Sequence, residues 1–143
     1  MNEADGLFVY GTLREGGSNH AWLLRTHPEG LCRAWTGGRL FQIPAGYPAL
    51  VSLAPPPDPP GAPGWVRGDF VGYEDPADLE QALADLDPLE GVEEGLFTRE
   101  VIPLVLEGGR SCWAWAYVFH VERLPRLSRE AVEIPSGDWG AYL

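Results

Sequence analysis

The sequence predicts a mixed α+β fold, a small barrel-like sheet of about six strands carrying two or three helices, and three stretches carry that prediction. In the first, Trp113, Trp115, Tyr117 and Phe119 alternate with Cys112, Ala114, Ala116 and Val118. A strand with one bulky and one small apolar face is buried on both sides, as in a tightly closed sheet. In the second, Gly108-Gly109 joins this strand to another run, Phe97 to Glu107, as a two-residue turn whose positive φ values suit glycine. The third is the clearest helix. Asp75 caps it, Pro76 takes its first position, Asp78 lies in its first turn, and Leu79, Leu83 and Leu86 form one apolar stripe.

The remaining elements follow in order. Leu7 to Tyr10 reads as a first buried strand that runs into the small-residue turn Gly11-Thr12 and then Leu13 and Arg14. Such a turn exposes backbone N–H groups, which bind anions; the same residues also suit a plain βα connection. Ser18 or Asn19 caps a short helix through His20 to Leu24. Leu31 to Ile43 and Tyr47 to Leu53 read as strands, the first bent or bulged at Gly37-Gly38. The Pro-rich residues 54 to 64 cannot donate a regular ladder and read as an extended, exposed loop. The strand signal resumes at once in Trp65 to Tyr73, so residues 1–143 are expected to form a single domain, with length enough for one core.

Composition narrows the chemistry. A formal net charge of −11 repels phosphate backbones and argues against nucleic-acid binding, yet a local nest of N–H groups still suits a small carboxylate. All ten basic residues are arginine, which excludes Schiff-base chemistry on lysine. The Arg, Pro and Ala bias suggests a GC-rich bacterial genome. Cys32 and Cys112 lie 80 positions apart with no second cysteine near either, a pattern of buried reduced thiols rather than a zinc cluster or disulfide framework. His20, His27 and His120 lack metal-ligand spacing, and there is no Gly-x-Ser-x-Gly element. No apolar run approaches the ~20 residues of a membrane span, and Met1 to Asp5 lacks the basic region of a leader. The expectation is a cytoplasmic protein with no metal and no membrane partner, monomeric by default.

Two further stretches stand out: Leu86-Asp87-Pro88-Leu89-Glu90-Gly91-Val92 with Phe97-Thr98-Arg99 after it, and the ending Ile134-Pro135-Ser136-Gly137-Asp138-Trp139. Pattern alone allows a structural role for Glu90, with Asp87 capping a short turn and Glu90 reaching back from its third position. Taken together, Tyr10-Gly11-Thr12-Leu13, Asn19, Gly46-Tyr47-Pro48-Ala49-Leu50, Gly68, Leu86-Asp87, Glu90-Gly91, Arg99 and Ser136-Gly137-Asp138-Trp139 closely resemble the gamma-glutamylcyclotransferase-like family, from about Leu7 to Tyr142.

That resemblance implies a barrel-like fold and an enzyme that cyclises a gamma-glutamyl amine or peptide to 5-oxoproline, releasing the amine without a cofactor. It places Glu90 at the family's acid–base glutamate, with Tyr10, Gly11, Thr12, Leu13, Arg99 and Tyr117 as substrate-binding residues. Arg14 reads as a surface charge or an auxiliary anchor, and His20 as a solvated residue or a pocket wall. One departure is plain: seven residues after Glu90, where the family commonly has Tyr, this chain has Phe97. Either Tyr117 supplies that hydroxyl from the neighbouring strand, or the substrate class differs; Tyr117 also fits a core role in its aromatic row. The rival reading is a noncatalytic module that binds a small carboxylate on the same fold. A further rival is an acyl-transfer enzyme acting on gamma-glutamyl-protected intermediates.

Overall fold

The computed structural model describes residues 4–11, 13–14, 20–26, 28–43, 48–88, 97–119 and 131–139. Along the chain these form β1 (Gly6–Val9), α1 (His20–Leu24), β2 (Gly30–Gln42), β3 (Pro48–Ser52), β4 (Trp65–Gly72), α2 (Pro76–Leu86), β5 (Phe97–Leu106), β6 (Ser111–Phe119) and β7 (Val132–Glu133). Five strands, in the order β2-β4-β1-β6-β5, close on themselves where Ala34 and Trp35 of β2 pair with Leu106 and Val105 of β5. The expected α+β barrel-like sheet is therefore present, with β3 and β7 attached to β2 as extra strands. Within the barrel only β1 and β6 run parallel.

β2 serves two sheets by changing partner at its glycine pair. It follows β4 as far as Gly37 and β3 from Gly38 onward. A Cβ on Gly37 would lie 2.6 Å from the Pro55 Cα, so the start of the Pro-rich loop passes this close to β2 only because the position has no side chain. The bend expected at Gly37-Gly38 is thus where the strand leaves the barrel.

Strand alternation sorts the apolar residues into two layers. Phe8, Ala34, Val66, Ile102, Leu104, Ala114, Ala116 and Val118, drawn from all five barrel strands, fill the interior. The alanines of β6 fit that narrow space. Leu7, Val9, Val71, Phe97, Tyr117 and Phe119 face the other way and pack beneath Leu83 and Leu86 of α2 and Leu23 of α1. Burial on both faces of β6 holds for its second half; toward the hairpin Trp113 is 37% exposed.

α2 starts as its sequence predicts, with the Asp75 carboxylate accepting the Ala77 N–H at 2.9 Å and Pro76 opening the helix. The hairpin between β5 and β6 is one residue longer than expected. Leu106 and Arg110 still pair, and the Gly109 N–H closes back on the Leu106 carbonyl at 2.9 Å, leaving Glu107, Gly108 and Gly109 as the loop. Both glycines have positive φ, 96° and 95°, the second serving the bulge that follows a three-residue turn. The Pro-rich loop is mostly exposed and is tied down where Trp65 Nε1 donates to the Asp58 carbonyl at 2.9 Å. No helix among the described residues is long and apolar enough to cross a membrane.

Candidate functional site

Because β1 and β6 are parallel, their C-terminal ends lie at one end of the barrel, and the antiparallel β5 begins there. α2 ends against the same side of the sheet. This end gathers Tyr10, Gly11, Leu13, Asp87, Phe97, Arg99 and Tyr117.

The turn after β1 is held at several points. The Arg14 N–H donates to the Gly11 carbonyl at 3.1 Å. Tyr10 is buried, its hydroxyl donating to the Tyr117 carbonyl and accepting the Leu50 N–H at 3.2 Å. A Cβ on Gly11 would meet the Pro48 ring at 2.5 Å, so the turn lies directly on β3. Leu13 is buried in the same layer as Tyr117 and Phe119. Thr12 lies outside the described residues.

Arg14 is not the solvated charge the sequence allows. It is buried, and its Nη1 donates to Asp138 Oδ1 at 2.8 Å while Arg67 Nη1 reaches Asp138 Oδ2 at 3.0 Å. The C-terminal motif therefore braces the turn from 124 residues away. Its placement needs Gly137, which has a φ of 67° and whose added Cβ would overlap the Trp65 carbonyl. His20 likewise differs from the solvated expectation: it is half-buried, with Nδ1 2.9 Å from the Leu13 carbonyl. A carbonyl only accepts, so Nδ1 carries the proton. His27 and His120 lie outside the described residues.

A second cluster forms where α2 ends. Arg99 and Tyr117 are directly opposite across β5 and β6, hence on one face. The Tyr117 hydroxyl donates to Asp87 Oδ1 at 2.7 Å, and Arg99 Nη1 lies 3.5 Å from Asp87 Oδ2. The guanidinium also sits over the Trp115 ring, 5.1 Å from its centre. Asp87 has helical rather than extended angles, and the turn that the structural reading of Glu90 gave it to cap lies outside the described residues. Asp87 continues α2 with φ −52° and ψ −47°, and its carboxylate is turned to the sheet. Phe97 is buried edge-on to Phe119, with ring centres 5.9 Å apart. Tyr117 supplies a phenol from the neighbouring cross-strand pair on the same face.

Glu90 lies outside the described residues. The connection that contains it, 89–96, leaves from Pro88 and returns at Phe97, both at this end of the barrel. Sequence reasoning missed Asp87 and Asp138 as side-chain partners. The only local signal for either was an aspartate beside a proline or glycine, which reads equally well as a cap or turn.

The cysteines occupy the opposite end of the barrel. Cys32 and Cys112 are half-buried rather than fully buried. Burial, reinforced by Asp5 and Cys32 and opposed by Arg110, pushes the Cys112 thiol up to about 11. It is protonated at neutral pH and a poor nucleophile.

A family model described as gamma-glutamyl cyclotransferase, AIG2-like, matches residues 7–141. Among solved structures, the chain is similar to YkqA from Bacillus subtilis, with 25% identity and a TM-score of 0.58 over 95% of this chain and 39% of that one. An AIG2-like protein from Mus musculus shares 24% identity with a TM-score of 0.55, covering 78% of this chain and 74% of that one. Allophanate hydrolase from Kluyveromyces lactis shares 16% identity with a TM-score of 0.61, covering 98% of this chain and 21% of that one. The last two are likenesses of fold alone. The chain spans only about two fifths of the length of YkqA, 39%. No curated protein matches the sequence.

Proposed function

The chain belongs to the AIG2-like gamma-glutamyl cyclotransferase family, and on that premise we propose that it converts a gamma-glutamyl amine or peptide to 5-oxoproline and a free amine. The observation that carries this reading is the convergence, at one end of the barrel, of the turn after β1 and the two ends of the connection that contains Glu90.

The reaction needs little from the protein. The substrate's α-amino nitrogen attacks its own γ-carbonyl carbon, a C–N bond forms, and the bond to the leaving nitrogen breaks. Holding the glutamyl chain folded makes the attack intramolecular and supplies much of the rate gain. Glu90 then carries the proton, taking it from the α-ammonium and giving it to the leaving nitrogen. Backbone N–H groups of Tyr10, Gly11, Thr12 and Leu13 cradle the substrate carboxylate or the developing oxyanion. Arg99 and Tyr117 belong to the same substrate end. Neither a metal nor a cofactor enters a step.

A screen tests this directly. Purified protein is incubated with gamma-glutamyl amino acids, peptides and amines, and 5-oxoproline is read by mass spectrometry with Glu90→Gln in parallel. Release by the parent and its loss in the variant is the expected result; full activity in a normally folded Glu90→Gln removes Glu90 from the mechanism. One observation favours a second reading, a noncatalytic binder of small carboxylates: Phe97 brings no hydroxyl to the site. Tight metabolite binding by calorimetry with no turnover across the panel would select that reading.

A further inference from the structure

We propose that Asp87 is a positioning residue for this reaction, a link between sheet and helix that sets where Glu90 starts; the proposal rests on the acid–base role just given to Glu90. Both oxygens of the Asp87 carboxylate are engaged, Oδ1 by the Tyr117 hydroxyl at 2.7 Å and Oδ2 by Arg99 at 3.5 Å. Those partners are directly opposed on β5 and β6, so the backbone ladder fixes their spacing. Asp87 retains helical angles and its N–H donates to the Leu83 carbonyl at 2.9 Å, so α2 holds it from the other side.

Covalent geometry carries this constraint forward. Glu90 follows Asp87 by only three residues, so a fixed Asp87 fixes the point from which the chain leaves α2 toward it. Pro88, with its φ locked near about −65°, narrows the set of directions further. Tyr117 also joins this anchor to the substrate turn, because its backbone carbonyl accepts the Tyr10 hydroxyl. One residue thus ties the base of the acid–base segment to the anion cradle.

The two partners contribute unequally. The Arg99 and Asp87 side chains are 32% and 26% exposed, where an ion pair is screened and weak. Tyr117 is buried, so its hydroxyl bond is the one that fixes geometry. Tyr117 and Arg99 then act through Asp87 rather than by gripping substrate.

The test uses Tyr117→Phe, Asp87→Leu and the double variant in steady-state release of 5-oxoproline from the best gamma-glutamyl substrate of the screen. Tyr117→Phe is the conservative member should Asp87→Leu fold poorly. Each single change is expected to lower kcat roughly 10- to 100-fold with KM little altered, since a misplacement of about 1 Å costs that much. The double variant should be no worse than the poorer single one, because both break one link. Unchanged kcat in the singles, a rise confined to KM, or losses that multiply in the double variant would each overturn the role of Asp87 while leaving Glu90 in place. A parent that releases no 5-oxoproline, or a fully active Glu90→Gln, overturns the underlying reading and the positioning role with it.

Discussion

The Tyr10 hydroxyl donates to the backbone carbonyl of Tyr117, 107 positions away, and accepts the Leu50 N–H. One side chain therefore satisfies backbone groups of β6 and β3, at the point where the first strand passes into the turn.

Tyr10→Phe keeps the ring and removes that hydroxyl, leaving a buried carbonyl and a buried N–H without this partner. An unmade buried hydrogen bond costs about 1–3 kcal/mol, so the variant should lose about 2 kcal/mol. Urea denaturation should show a lower midpoint with the slope unchanged, and the Leu50 amide should exchange faster. An unaltered midpoint would mean the pairing contributes nothing net.

The ion pairs of Asp138 and Glu133 differ in burial and should differ in worth. Asp138 is 16% exposed between Arg14 and Arg67 at 11% and 29%, whereas Glu133 and Arg39 are 40% and 53% exposed. Asp138→Asn removes the negative charge between two sheltered guanidinium groups, and should cost about 3 kcal/mol. Glu133→Gln should cost at most about 1 kcal/mol. Equal midpoint shifts for the two variants would show that burial is not what decides.

Much of this architecture is legible because its signals are local. The alternation from Cys112 to Phe119 spans its own strand, Asp75-Pro76 marks its own helix start, and Gly37-Gly38 marks its own bend. Asp87 was not legible for the converse reason. Its neighbours Pro88 and Glu90 suggest a cap, while its actual partner Tyr117 lies 30 positions downstream and leaves no period to read. Arg14 and Asp138, 124 positions apart, were hidden in the same way. β7, two residues long, is too short to show alternation at all. The motifs of the site could be recognised one by one, but not the pairings that bring them together.

Gly137→Ala and Gly108→Ala separate backbone strain from lack of space. Both glycines have positive φ, 67° and 96°, but nothing lies within 4 Å of a Cβ on Gly108. Left-handed strain alone costs about 1–2 kcal/mol, and Gly108→Ala should lose about that much. Gly137→Ala adds the overlap with the Trp65 carbonyl, which also displaces the segment that delivers Asp138 to Arg14. It should be the more damaging of the two by thermal denaturation, and a milder effect than that of Gly108→Ala would contradict the close packing of the C-terminal motif on β4.

The raised pKa of Cys112 gives the fold a measurable alkaline weakness. Burial is the main cause, with the Asp5 and Cys32 charges adding to it, and the thiol moves from its ordinary 9.0 to about 11. Raising the folded pKa of an acid means that the unfolded chain releases its proton first. The contribution to stability is therefore full below about 9 and falls as pH climbs toward about 11. Cys32 and Tyr73 are raised by burial as well, so other groups add to the same trend. The informative quantity is the difference between the parent and Cys112→Ala, each followed by its urea midpoint across that range. The variant should show a flatter decline, because alanine has no proton to lose, and it should match the parent in the proposed release of 5-oxoproline, because the thiol lies at the opposite end of the barrel from the candidate site. Identical declines would mean that the Cys112 thiol is as well solvated in the folded protein as in the unfolded chain.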